Sequence, residues 1–326
     1  MSNKKLRVLV TGAAGSGGSY MLEHLLERNP ENTYSALVRN SHGASSENLS
    51  QIRNKAEIEF CDLVDFDSTS KLIMRLSPDQ VYHFASNANV LESFQEPVNI
   101  LKNNIMGTTH LLEACRLQHN KPRILMCSTS EVYGQVRPSE TPIKETNALR
   151  PASPYAISKT TQDLLSGVYW QAYGLPIIRS RMFTYINPRR QNLFATSFAT
   201  QVVKIEMGQL EVLRHGNLDS VRTHMDIRDV MSAYEELMEK GLPGEVYNLG
   251  GTESFSVGEF LEILKSKAKC EIKTLLDKSL LRPVDVTLQI PDVSKFESTT
   301  SWRPKYTLDE SIDFLLESIR EKLSKA

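Results

Sequence analysis

Cysteine is scarce in this chain: four in 326 residues, Cys61, Cys115, Cys127 and Cys270, far apart and with no Cys-x-x-Cys pair. That spacing excludes a disulfide framework and a zinc site, so buried free thiols are expected and no metal is. An excess of one charge is missing as well. With 38 basic and 39 acidic side chains the formal net charge is −1, and nothing draws the whole chain toward nucleic acid or anionic lipid. No apolar run approaches a membrane span, and Met1–Lys5 leads straight into Leu6–Val10, too short for a signal-peptide core. The expectation is a cytoplasmic protein with a small-molecule ligand, touching neither nucleic acid nor membrane.

What is present is a pattern. The chain is 40% apolar and 24% charged, enough to bury one large core or two smaller ones. Leu6–Val10, Tyr34–Val38, Ile58–Phe60, Val81–Phe84 and Ile124–Cys127 read as strands separated by helix-period stretches, with Leu175–Ile178 as a further strand. Runs such as Val8-Leu9-Val10 and Ile124-Leu125-Met126 lack polar alternation, as in a parallel sheet covered by helices on both faces. The fold class is therefore α/β, a Rossmann-type doubly wound parallel sheet. Past Leu175–Ile178 the alternation loosens around a short Val246-Tyr247-Asn248 strand. Two helices are still legible there, one behind Ser256-Val257-Gly258-Glu259 at capping-box spacing, the other along Leu308, Ile312, Leu315, Leu316, Ile319 and Leu323. We expect residues 1–180 to bind nucleotide and residues 181–326 to form a smaller substrate-binding region, partly interleaved with the sheet.

The first strand runs into Thr11-Gly12-Ala13-Ala14-Gly15-Ser16-Gly17-Gly18 and then a helical stripe. Gly12 permits the tight turn, Gly15 lets backbone amides approach a pyrophosphate, and Gly18 lets helix and strand pack closely. Gly12, Ala14, Gly15, Ser16, Gly17 and Gly18 are thus expected to cradle a dinucleotide. At the end of the second strand, where an NAD-selecting protein places an acid, stands Arg39, followed by Asn40 and Ser41. A guanidinium there suits a 2′-phosphate and favours NADP. Asp62 and Leu63 are candidates for the adenine, and Phe84, Ala85 and Ser86 for the pyrophosphate and the sugar beyond it.

At the other end of the cleft, Tyr155 and Lys159 lie four residues apart on one helix face, where an ammonium can acidify a phenol. Free tyrosine titrates near pH 10, so proton exchange with a sugar hydroxyl near neutrality needs such a cation. The fifth strand ends in Ser128-Thr129-Ser130-Glu131-Val132-Tyr133-Gly134, which adds hydroxyls and a carboxylate at the carboxyl edge of the sheet.

Together, Thr11–Gly18, Asn104-Ile105-Met106-Gly107-Thr108, Ser128–Gly134 and Tyr155–Lys159 resemble the extended short-chain dehydrogenases/reductases that act on sugar nucleotides. Thr129-Ser130-Glu131 is similar to the Thr-x-Glu form of 4,6-dehydratases. Asn187-Pro188-Arg189-Arg190, His215–Arg222 and Arg282-Pro283-Val284-Asp285-Val286 resemble segments of the GDP-mannose 4,6-dehydratase family, although Thr184 stands after Phe183 where that family usually has Asn. The resemblance implies Thr129, Glu131, Tyr155 and Lys159 as catalytic residues and a tightly bound NADP recycled within each turnover. It also implies a nucleotide sugar, GDP-mannose in the first instance, held by Ser86, Ser130, Asn187, Arg190, Arg222 and Arg282. The Arg-Pro-x-Asp-Val run is equally similar to that of GDP-4-keto-6-deoxymannose reductases, so a reductase or epimerase stands as the alternative. Helices around Ile105–Arg116 and Tyr155–Tyr173 are expected to pair into a homodimer or homotetramer, though Leu111, Leu112, Leu164, Leu165, Val168 and Trp170 could also cover the sheet of a monomer.

Overall fold

Val8, Leu9 and Val10 are all buried, yet they belong to different cores. Val8 and Val10 join Met21, Leu22, Val230 and Leu237 on one face of a sheet, while Leu9 joins Leu72, Leu111 and Ile124 on the other. Side chains alternate across a strand, so a strand buried on both faces must be apolar throughout. In the computed structural model, which describes residues 5–40, 46–191, 193–281 and 285–325, the inner residues of β1 (Arg7–Thr11), β2 (Thr33–Val38), β4 (Gln80–His83) and β5 (Arg123–Thr129) are buried and mostly apolar. With β3 (Glu57–Phe60), β6 (Ile177–Met182) and β9 (Val246–Leu249) they form a seven-stranded sheet in the order β3-β2-β1-β4-β5-β6-β9, parallel throughout. The order reverses between β1 and β4, which opens a crevice at the carboxyl ends of the strands.

The expected strand near Val246 exists, and it is an edge of this central sheet. The sixth strand starts later and runs further than expected. Pro176 precedes it, and its polar residues are hidden: Arg181 donates to Asp163 at 2.9 and 3.0 Å, with the carboxylate fully buried. An internal ion pair with the helix Pro154–Tyr173 thus lets charged residues continue a buried strand.

The remaining short strands, β7 (Leu213–His215), β8 (Val221–Thr223), β10 (Ser254–Ser256), β11 (Thr274–Leu276) and β12 (Leu288–Gln289), form a β10-β8-β12 sheet and a β11-β7 pair. Beside them lies a further core, in which Phe198 and Val202 meet Phe260, Leu261, Leu264, Ile312 and Leu316. Both expected helices are there, Val257–Ser266 and Leu308–Ser324. The first carries the capping box: Ser256 Oγ accepts from the Glu259 amide at 3.0 Å, and Glu259 accepts from the Ser256 amide at 2.7 Å. The helix expected from Ile105 begins at Gly107, after a π-turn over Lys102–Met106. Leu111 and Leu112 are buried against the sheet, whereas Leu164 and Val168 on the Pro154–Tyr173 helix are more than half exposed. Among the described residues no helix is long and apolar enough to cross a membrane.

Candidate active site

Gly12 has φ +68°, and a Cβ there would come within 2.8 Å of the Ala85 amide nitrogen. Strand β1 therefore turns hard against the end of β4. A Cβ at Gly18 would meet the Gly12 carbonyl oxygen at 2.5 Å, so the helix Ser16–Arg28 packs directly on the turn. That helix has Gly15 as its N-cap and no side chain capping it, unlike the helices that begin at Asp65, Ser153, Asp226, Ser256 and Thr307. Its first amides remain available to an anion, with the positive end of the helix dipole behind them. The turn fits a dinucleotide pyrophosphate.

Gly12, Gly15, Ser16, Gly17, Gly18 and Phe84 line one end of a cavity of about 560 Å³ at the carboxyl edge of the sheet. Ala14 lies beside it, its carbonyl accepting from Asn48 Nδ2 at 3.0 Å. Ala85 is the residue that Gly12 approaches, and its amide donates to Thr11 Oγ1 at 3.1 Å. Arg39 is exposed at the end of β2 and donates to Asn103 Oδ1. Asp62 and Leu63 follow β3 outside the cavity. The Asp62 carboxylate accepts from the Val64 amide, and Leu63 is buried under Gly107. Ser41 and Arg282 lie outside the described residues.

The other end of the cavity gathers Ser86, Thr129, Ser130, Glu131, Tyr155, Lys159, Arg190 and Arg222. Ser153 caps the helix Pro154–Tyr173, with Pro154 in its first turn, so Tyr155 enters the cavity one residue inside a well-defined helix start. Thr129 ends β5, and its hydroxyl caps the short turn that carries Glu131, accepting from the Glu131 amide at 3.3 Å.

The electrostatics differ from those expected. Burial pushes the Tyr155 phenol up to about 12, with Arg190 pulling it back, Glu131 pushing it further up, and a hydrogen bond to Thr129 lowering it. The cation in hydrogen-bond contact with the phenol is Arg190, which also donates to Tyr185 Oη at 2.9 Å and the Ala88 carbonyl at 3.1 Å. Lys159 lies on the expected helix face but turns its ammonium to the Cys127 carbonyl at 2.6 Å, and burial brings its pKa down to about 8. Lys159 thus keeps its expected place on the helix face, while the direct contact with the phenol is made by Arg190.

Asn187 sits behind the cavity wall. It is fully buried and does not line the cavity; its Oδ1 accepts from the Arg189 amide at 2.9 Å and shapes the turn that aims Arg190 inward. Arg189 points the other way, to Glu23 at 2.8 Å and over the Tyr20 ring, tying the turn to the nucleotide helix. Arg222 is buried on β8, donating to the carbonyls of Val221 and Val286. Sequence reasoning passed over Tyr185 and Gln289, which line the same cavity as Ser128. Each is an ordinary polar residue with no spacing signal of its own.

Comparison with known proteins converges on this architecture. A family model described as GDP-mannose 4,6 dehydratase matches residues 9–314. The chain belongs to that family. Its fold is that of the extended short-chain dehydrogenases/reductases. The GDP-mannose 4,6-dehydratase family relatives of this chain carry more than one activity in their names. A GDP-6-deoxy-D-mannose reductase of Pseudomonas aeruginosa is 31% identical over 257 residues, covering 78% of this chain and 84% of the relative. A GDP-mannose 4,6-dehydratase of Yersinia enterocolitica is 26% identical over 343 residues, covering 93% and 91%. The solved structure of RMD from Pseudomonas aeruginosa complexed with NADPH superposes with a TM-score of 0.83 at 26% identity, covering 98% of this chain and all of that one.

The buried lysine sets a pH dependence. Because the folded pKa of Lys159 is depressed from 10.5 to about 8, the folded state holds fewer protons there than the unfolded state between these values, and stability rises with pH across that window. The stability of the protein relative to Lys159→Met should therefore climb by up to about 3 kcal/mol from pH 8 to pH 10.5. Urea unfolding of both proteins across this range measures the difference, and a flat difference contradicts the burial argument.

Proposed function

We propose that this protein is an NADP-dependent GDP-mannose 4,6-dehydratase that converts GDP-mannose to GDP-4-keto-6-deoxymannose. The observation that carries the reading is that the Glu131 carboxylate lines the cavity of Tyr155 and acts on its phenol. A reductase needs only a proton donor at the carbon 4 oxygen, whereas dehydration needs a second proton-transfer group. Tyr155 takes the proton from the carbon 4 hydroxyl as that carbon is oxidised, with Thr129 bonded to the same oxygen. The ketone acidifies the carbon 5 proton. Glu131 removes that proton and passes it to the carbon 6 hydroxyl, which leaves as water. Bound NADP would supply the hydride acceptor at carbon 4 and the hydride donor at carbon 6, and Tyr155 returns to carbon 5 the proton it took from the carbon 4 hydroxyl, so the sequence is redox-neutral and every proton is accounted for.

The glycine turn and the uncapped helix start would hold the cofactor pyrophosphate, with Asp62 and Leu63 near the adenine and Arg39 at the 2′-phosphate. Arg190, Arg222 and Arg282 would meet the diphosphate of the substrate, their planar forks matching phosphate oxygens. A second reading, a 4-keto reductase, is favoured by the 31% identical reductase relative. A water-soluble substrate and cofactor suit a cytoplasmic enzyme.

Purified protein should convert GDP-mannose to the 4-keto-6-deoxy product without net consumption of NADP or NADPH, and Glu131→Gln should stop water loss while nucleotide binding persists. Stoichiometric oxidation of NADPH by the 4-keto sugar, with GDP-mannose untouched, would establish the reductase instead. Arg39→Ala should weaken NADP binding roughly tenfold relative to NAD, as measured by calorimetric titration with each dinucleotide; an unchanged ratio would remove Arg39 from cofactor selection.

The exposed Ile157, Leu164 and Val168 on the Pro154–Tyr173 helix suit pairing with a second subunit, since solvent-facing apolar stripes mark contact surfaces. Sedimentation should give a dimer or tetramer, and Leu164→Asp with Val168→Asp should shift it toward monomer. Monomer alone in the unsubstituted protein would refute the pairing.

A further inference from the structure

Gln289 lies on β12, directly opposite Arg222 of β8, and is 3% exposed. Its Oε1 accepts from Ser130 Oγ at 3.1 Å, while its Nε2 is buried and has no hydrogen-bond partner. Exchanging the two ends of the amide changes nothing essential, because whichever end meets the Ser130 hydroxyl leaves the other unpaired. Buried polar groups are nearly always paired, and the exceptions call for a physical reason. Here the residue lines the cavity that holds Tyr155 and Glu131, so the open end is where a ligand atom can complete the set.

The chemistry of the neighbours says which part of a ligand that is. A diphosphate is met by guanidinium groups, and Arg190, Arg214 and Arg222 line this cavity. A neutral amide suits a hydroxyl. Its partner Ser130 stands between Thr129 and Glu131 in the chain, the two groups placed above at carbons 4 to 6 of the hexose. The amide is therefore held at the sugar end.

We propose that Gln289 is a specificity-determining residue whose amide hydrogen-bonds a hydroxyl of the hexose in the bound nucleotide sugar. The inference rests on the nucleotide-sugar reading given above. A site with an amide waiting for a hydroxyl discriminates against sugars lacking it, because binding them leaves the amide buried and unpaired.

The test compares affinities of the holoenzyme for GDP-mannose and for GDP by titration calorimetry, in the unsubstituted protein and in Gln289→Met, which keeps the length of the side chain and removes the amide. The ratio of the two affinities should fall roughly tenfold in the variant while GDP binding is unchanged. An equal loss for both ligands would make Gln289 a structural support and overturn the proposal, as would no loss for either. Gln289→Leu likewise removes the amide without adding charge and gives the same comparison should the Met variant not fold; it should lose the sugar preference too. Where the unsubstituted protein ignores GDP-mannose but binds another nucleotide sugar, the substrate reading fails, and the same ratio taken on that sugar and its nucleoside diphosphate still decides the role of Gln289.

Discussion

A buried chain of hydrogen bonds joins the glycine turn to the helix that carries Tyr155, and both ends of the cavity depend on it. The Ala85 amide donates to Thr11 Oγ1, which pairs with His83 Nδ1 at 2.8 Å, and His83 Nε2 pairs with Thr108 Oγ1 at 2.8 Å. Gln162 reaches both Thr108 Oγ1 and the Asn104 carbonyl, Asn104 Nδ2 donates to Ser158 Oγ at 2.9 Å, and Ser158 returns to the Tyr155 carbonyl. Burial brings the His83 pKa down to about 3, so at neutral pH the imidazole has one donor and one acceptor, as a relay between two hydroxyls requires. In a low-dielectric interior such a set is worth keeping only when its members are paired. The π-turn over Lys102–Met106 is part of the same construction: it presents Asn104 to the Asn87 amide at 2.7 Å as well as to Ser158.

A second polar construction braces the opposite flank of the catalytic helix. Asp163 takes Arg181 bidentately and Arg179 at 3.3 Å, and Arg181 extends to Tyr133 Oη at 2.9 Å, which donates to Asn248 Oδ1 at 2.7 Å. One buried carboxylate thereby fixes the helix against β6, the Ser130–Tyr133 turn and the β9 edge together. A pair of this kind adds little net stability but strongly disfavours any packing that separates its members.

These constructions explain which parts of the molecule were legible in the sequence. Strands β1, β2, β4 and β5 could be read because a sheet covered on both faces leaves apolar runs, and the Gly12 to Gly18 turn because close backbone approach demands glycines at fixed spacing. Strand β6 was misplaced because Arg179 and Arg181 look exposed until Asp163 is known to face them across the fold. Asn187 was taken for a ligand contact because an Asn before Pro-Arg-Arg reads the same whether it faces inward or shapes the turn; only the coordinates distinguish the two. Gln289 carries no pattern at all, being defined by the partner it lacks.

The contact between Arg190 and Tyr155 bears on how the cavity could support the two proton transfers of the proposed reaction. Desolvation raises the phenol, and the nearby Glu131 charge raises it further, so a cation must offset both if Tyr155 is to exchange protons near neutrality. Lys159 at i+4 supplies positive charge along the helix, but its ammonium is bound to the Cys127 carbonyl and its own pKa is depressed. Arg190 stays protonated at any accessible pH, and its guanidinium reaches Tyr155, Tyr185 and the Ala88 carbonyl from a single turn. That turn is anchored outside by Arg189 on Glu23 of the Ser16–Arg28 helix, so the helix behind the glycine turn is tied to the turn that carries the charge beside the phenol. A side chain aimed by such an anchor faces competing demands, since the same guanidinium is suited to a substrate diphosphate. On the proposed function, cofactor seating, substrate capture and the proton affinity of Tyr155 would thus be coupled through one tight turn whose conformation Asn187 sets.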